Sequence, residues 1–194
     1  MSICITGTGS YIPEIIKKNK DFLENTFLNS DGSNFKVSNE VIIKKFQAIT
    51  GIEERRYAKE DLKSSDLASF AAKNAIKNSK IDIETLDYII VAHNFGDVKY
   101  NTKEIDQLPS LAARVKYNLK INNPDCVCYD LIFGCPGWIE GVIQAQAFIK
   151  AGMAKKCLVI GAETLSRTFD TSDRDSMIFS DGAGATIIEK KDDN

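Results

Sequence analysis

The chain is short of the residues on which several functional classes depend. Its 194 residues include a single histidine, His93, so no pair of imidazoles is available to a metal site. The five cysteines, Cys4, Cys126, Cys128, Cys135 and Cys157, contain no Cys-x-x-Cys pair. Cys126 and Cys128 fall on one strand face with no second pair to complete a zinc site, so no metal is expected. No apolar run is long enough to span a bilayer. The net charge of −2 gives no electrostatic case for nucleic acid or an anionic membrane. The opening Met-Ser-Ile-Cys-Ile-Thr-Gly-Thr-Gly lacks a basic segment followed by a long apolar stretch, and no signal peptide is read there. With an odd number of cysteines, this predicts reduced thiols and a cytoplasmic location. Four of those thiols are expected to act as core residues in strands.

Two glycine patterns also fall short. Gly7-x-Gly9 follows a strand, but Ile12 stands where a third glycine would open a dinucleotide site, and Pro13 interrupts the helix. Asp181-Gly-Ala-Gly-Ala185 lacks the Gly-Lys-Ser/Thr ending of a phosphate loop; its small residues are read as permitting close backbone packing before a strand. There is no internal repeat and no low-complexity linker.

What is present suits one α/β domain, at 43% hydrophobic and 27% charged residues. Strands are predicted at 2–7, 87–92, 126–133, 156–161 and 186–190, with a turn over Gly7–Ser10. Helices are predicted at 38–49 (capped by Ser38 or Asn39, stopped by Gly51), at 65–78, and from Pro109 through Leu119. Residues 14–37 read as polar and irregular, anchored by Phe22, Leu23, Phe27 and Phe35; 93–107 and 166–175 read as polar loops. The alternation of apolar strands with helices predicts a mainly parallel sheet covered on both faces. The polar run Lys190-Lys-Asp-Asp-Asn194 follows the last strand, as a boundary between two halves would.

The segment Cys-Val-Cys-Tyr-Asp-Leu-Ile-Phe-Gly-Cys-Pro-Gly-Trp, 126 to 138, places one thiol where thiols become nucleophiles. Residues 126–133 read as a buried strand, Gly134 as a tight turn, and Pro136 as the first helical residue. The helix then runs to near Gly152. Cys135 is thereby predicted at the helix N-cap, where unpaired N–H groups and the positive dipole end favour a thiolate. A small buried thiol at a strand–helix corner fits the same pattern. His93 and Cys135 both follow strands of one sheet, which leaves a thiol–imidazole dyad open; His93 also reads simply as a polar residue starting an exposed loop.

With these residues in order, the chain resembles the N-terminal half of a β-ketoacyl-acyl carrier protein synthase III, a thiolase-fold condensing enzyme. The resemblance covers almost all 194 residues. It rests on Gly7-Thr-Gly-Ser-Tyr-Ile-Pro13, Thr50-Gly-Ile-Glu-Glu-Arg55, Asp130-Leu-Ile-Phe-Gly-Cys135, Glu163-Thr-Leu-Ser-Arg-Thr-Phe-Asp-Thr-Ser-Asp-Arg174 and Phe179-Ser-Asp-Gly-Ala-Gly-Ala185. It implies a thiolase-like half-domain over 1–194, with a five-stranded mixed, mainly parallel sheet and helices on both faces. It implies Cys135 as the acyl-accepting nucleophile, its N–H as one oxyanion donor, Arg174 at the nucleotide part of coenzyme A, and Leu108 in the acyl pocket of a partner subunit.

The resemblance further implies a homodimer that moves an acyl group from a thioester to Cys135. That group would then be joined to a malonyl thioester, with loss of carbon dioxide, in fatty acid or polyketide synthesis. Acyl-coenzyme A and acyl carrier protein would be its partners, their thioesters substrates, and no metal or redox cofactor would be needed. Two rivals are another thioester acyltransferase or thiol hydrolase on the same fold, and a non-catalytic dimerisation half.

There are departures from the family pattern. The tryptophan that stacks on adenine falls near Lys45 and Phe46, the arginine before Thr-Gly-Ile is Ile49, and the 93–107 loop is long. A different acyl donor or carrier, and weaker coenzyme A binding, follow from these. The catalytic His and Asn and the second oxyanion donor belong to the C-terminal half of the family, which lies outside this sequence. His93 does not match that His.

Overall fold

The structure is a computed structural model that describes residues 2–191. Met1 and residues 192–194, the end of the polar run expected at a domain boundary, lie outside the described residues.

In chain order the elements are β1 (Ser2–Tyr11), β2 (Ile15–Lys18), α1 (Asn39–Thr50), β3 (Glu54–Tyr57), α2 (Ser64–Ser79), β4 (Tyr88–His93), β5 (Asp97–Val98), β6 (Ile105–Asp106), α3 (Leu111–Asn118), β7 (Val127–Ile132), α4 (Gly137–Lys150), β8 (Lys156–Thr164) and β9 (Asp181–Lys191). Five strands form one mixed sheet in the order β1-β9-β8-β4-β7. Strands β7, β4 and β8 run parallel, while β9 is antiparallel to both β8 and β1. The parallel trio carries its C-terminal ends to one edge, where the candidate site lies.

Strand alternation explains the two faces. Ile89, Val91, Leu158 and Ile160 point to one side and pack with Ala68, Ala71 and Ala75 of α2 and Leu111 and Val115 of α3. Ile90, Cys157 and Val159 point to the other and meet Ala145 and Ile149 of α4. Full burial of each large aliphatic side chain contributes roughly 1.5–3 kcal/mol. A third cluster, Phe22, Phe27, Ile42, Ile43 and Met177, holds α1 to the 19–27 segment.

Local signals set several boundaries. Ser38 is the N-cap residue of α1, and Gly51 ends that helix at φ 71°. Ser110 Oγ accepts the Ala113 N–H at 3.1 Å and caps α3, so Ser110 rather than Pro109 opens that helix. The predicted turn at Gly7–Ser10 is absent: β1 continues to Tyr11. Gly7 and Gly9 serve the helix above them, because a Cβ at either would strike the α2 backbone at Ala75 or Ala71.

Two further expectations are corrected. The 93–107 segment contains the β5–β6 hairpin, pinned by buried Asp97, which accepts from the Ser65 N–H (2.8 Å), the Ser65 hydroxyl (2.7 Å) and Arg114 Nη1 (2.7 Å). β7 is a half-exposed edge strand rather than a buried one, since only β4 pairs with it among the described residues.

Candidate active site

Cys135 sits in the turn between β7 and α4, closed by the Gly137 N–H donating to Gly134 O at 2.8 Å. Pro136 is the N-cap and the helix starts at Gly137, so Cys135 lies one position before the cap and not on it. The tight turn takes the place of a first helical residue there. The helix that follows lies close on the sheet: a Cβ on Gly141 would stand 2.8 Å from Val159 Cγ1. The Cys135 N–H makes no hydrogen bond among the described residues.

The thiol is exposed, as is that of Cys4, whereas Cys126 and Cys157 are buried and Cys128 is intermediate. Cys4 is therefore not a core residue, because β1 is the other edge of the sheet. Burial pushes the Cys157 thiol up to about 12. Cys126 is also raised, first by its hydrogen bond with Cys128 and then by burial.

A cavity of about 290 Å³ opens beside Cys135, walled by His93, Asn94, Phe133, Trp138, Glu163 and Leu165 and floored by Gly182, Ala183 and Gly184. A Cβ on Gly184 would meet nothing within 4 Å. Gly184 thus leaves the floor open, while Gly182 does permit close packing, since a Cβ there would stand 3.4 Å from the Tyr11 carbonyl oxygen of β1.

His93 shares this cavity but is committed elsewhere. It is buried at the end of β4, not in an exposed loop. Its Nε2 lies 2.9 Å from Asp130 Oδ2, and its Nδ1 accepts the Gly96 N–H at 2.9 Å. With Nδ1 an acceptor, the ring proton is on Nε2 and faces Asp130. Asp130 also accepts the Leu111 and Ala112 N–H groups at 2.7 and 2.8 Å.

Asn94 and Glu163 escaped the sequence reading. Glu163 Oε2 accepts both the N–H and the Nδ2 of Asn94, at 2.7 and 2.9 Å. Its Oε1 is buried without a partner among the described residues, and burial raises the pKa of the carboxyl. The available signal was position: Asn94 directly follows β4 and Glu163 is the penultimate residue of β8, both apolar parallel strands, at the sheet edge that carries Cys135.

The other two predicted residues stand apart from Cys135. Leu108 is 85% exposed and lines none of the cavities described in this subsection. Arg174 borders a separate cavity of about 530 Å³, together with Lys45, Phe46, Ile49 and Phe35. Its guanidinium lies 5.3 Å from the centre of the Phe35 ring, a stacking partner the sequence reading did not foresee.

Among the described residues, no group of three or more His, Cys, Asp and Glu side chains could hold a metal ion, and no helix is long and apolar enough to cross a membrane.

Comparison with known proteins finds relatives of this chain in sequence and in structure. The family described as 3-Oxoacyl-[acyl-carrier-protein (ACP)] synthase III matches residues 129–194. A Beta-ketoacyl-[acyl-carrier-protein] synthase III of Neisseria gonorrhoeae is 39% identical over 189 residues, 97% of this chain and 52% of that protein. One from Vibrio parahaemolyticus is 40% identical over 95% of this chain and 51% of its own length. The crystal structure of 3-oxoacyl-[acyl-carrier-protein] synthase III from Aquifex aeolicus VF5 matches with a TM-score of 0.79 at 34% identity, covering 99% of this chain and 55% of that one. The chain spans about half the length of the curated relatives it matches. It is therefore related, along nearly its whole length, to about half of a β-ketoacyl-[acyl-carrier-protein] synthase III, and it has their thiolase-like fold.

Proposed function

We propose that this chain is the acyl-accepting, N-terminal domain of a β-ketoacyl-acyl carrier protein synthase III, with Cys135 as the nucleophile. The observation that carries the reading is the exposed Cys135 thiol, set between a parallel strand and an apolar helix at the mouth of the 290 Å³ cavity. The Cys135 thiolate attacks the carbonyl of an acyl thioester and forms a new C–S bond as the coenzyme A thiolate leaves. The Cys135 N–H, which makes no hydrogen bond among the described residues, donates to the oxygen that gains charge. In the second step a malonyl thioester loses carbon dioxide, its α-carbon attacks the acyl-cysteine carbonyl, and Cys135 departs as thiolate. The product is a 3-oxoacyl thioester on acyl carrier protein. No resident cofactor enters these steps.

Arg174, with Lys45, Phe46 and Phe35 around one cavity, is assigned to the nucleotide part of coenzyme A. Leu108, projecting into solvent, is assigned to the acyl pocket of a second subunit. The edge strand β7 is assigned to a two-fold homodimer contact: Val127 and Ile132 are exposed along it, and self-pairing satisfies its open backbone groups. The location assigned is the cytoplasm, where thiols stay reduced.

The test is malonyl-dependent release of carbon dioxide by the complete protein, supplied with an acyl-coenzyme A and malonyl-acyl carrier protein. Stoichiometric carbon dioxide and 3-oxoacyl product are expected, with both lost in Cys135→Ala. Acyl hydrolysis without malonyl decarboxylation would replace the condensing reaction with a thioester hydrolase.

A further inference from the structure

We propose that Asn94, held by Glu163, makes the wall of the Cys135 cavity select acyl groups carrying a hydroxyl over plain alkyl groups of the same length. This inference rests on the acyl-transfer reading and concerns the substrate class of that same site.

The orientation of Asn94 is fixed by its partner. Both its main-chain N–H and its Nδ2 donate to Glu163 Oε2, at 2.7 and 2.9 Å. The reversed amide would set an oxygen against the acceptor that already takes the main-chain N–H, so Nδ2 stays on Glu163 and Oδ1 turns away. It turns towards the loop of the nucleophile: a Cβ built on Gly134, the residue before Cys135, would stand 4.0 Å from Asn94 Oδ1. No group among the described residues donates to that oxygen. The other carboxylate oxygen, Glu163 Oε1, is buried with no partner among the described residues.

The rest of the cavity is largely apolar, formed by Ala92, Phe133, Trp138, Ala162 and Leu165. A plain alkyl chain laid against this wall displaces water from Asn94 Oδ1 and returns no hydrogen bond. A hydroxyl on the chain replaces the lost water with a donor. One neutral hydrogen bond of this kind, set against an unmade one, is worth about tenfold in rate.

The experiment uses the complete protein and N-acetylcysteamine thioesters, which carry no nucleotide and so leave the Arg174 cavity out of the comparison. Formation of acyl-Cys135 is followed in a single turnover by intact mass for butyryl and for 2-, 3- and 4-hydroxybutyryl thioesters. At least one hydroxyl isomer should acylate about tenfold faster than butyryl. Asn94→Leu should abolish that preference, and Glu163→Gln, which keeps one acceptor for Asn94 but alters the buried second atom, should reduce it. The wild-type ratio alone decides if either variant fails to fold. Butyryl transfer as fast as all three hydroxyl isomers, or a preference that survives both substitutions, overturns the inference while leaving acyl transfer intact. No acyl adduct on Cys135 from any thioester overturns the acyl-transfer reading itself, and this inference with it.

Discussion

His93 Nε2 lies 2.9 Å from Asp130 Oδ2, and the opposite ring nitrogen accepts the Gly96 N–H at 2.9 Å. Both nitrogens are thus used in holding three pieces of chain together: the end of β4, the loop that follows it, and the Asp130 carboxylate that caps α3. An imidazole engaged in this way has no free lone pair for Cys135, although the two residues line one cavity.

His93→Ala should therefore cost stability and spare the thiol. Leaving Asp130 and Gly96 short of partners and emptying a buried ring is worth about 2–4 kcal/mol. Urea unfolding of the complete protein checks the first part, and iodoacetamide kinetics at Cys135 the second. A large fall in Cys135 reactivity with stability unchanged would restore the imidazole as a base.

Glu163 gives a pH dependence with a definite sign. Burial raises its pKa above the ordinary value of 4.5, because the charged form is the one desolvated. Its contribution is fully present below the unfolded value, and stability declines as pH rises from there through the folded value. Glu163→Gln removes this slope. Denaturant titrations from pH 4 to pH 7 should show the variant gaining on wild type as pH rises; the opposite trend would mean that the carboxylate is stabilised in the fold.

The stack of Arg174 on Phe35, 5.3 Å from guanidinium to ring centre, predicts a role for an aromatic that the family resemblance does not supply. Phe35→Ala should weaken coenzyme A binding by about two- to fivefold through loss of one exposed cation–π contact that orders the arginine. Arg174→Ala should weaken it further. Calorimetry with acetyl-coenzyme A on the complete protein decides. Tighter binding after Phe35→Ala would mean that the ring occupies the place of the ligand instead of preparing it.

Much of the fold was legible because its signals are local. Gly51 as the α1 stop, the helix start at Ser38 and the continuous apolar runs of β4 and β8 follow from local residue preferences alone. The misreadings arose where a distant element decides. Gly9 looks like a turn residue until α2 is laid across it, and the apolar run of β7 looks buried until the sheet is seen to end there. At the site, the strand–glycine–proline punctuation located the turn that holds Cys135, although the residue fell one position before the helix cap. Asn94, Glu163 and Phe35 were not, since each acquires its meaning from a partner far along the chain.

The exposed thiols of Cys135 and Cys4 offer the most direct test of the central claim. The complete protein is incubated with a single equivalent of an acyl-coenzyme A, digested, and mapped by mass spectrometry alongside Cys135→Ala. The account predicts one acyl group on the peptide that contains Cys135, an equal amount of free coenzyme A, and no adduct in the variant. Acyl label on Cys4, or equal labelling of wild type and Cys135→Ala, would contradict it.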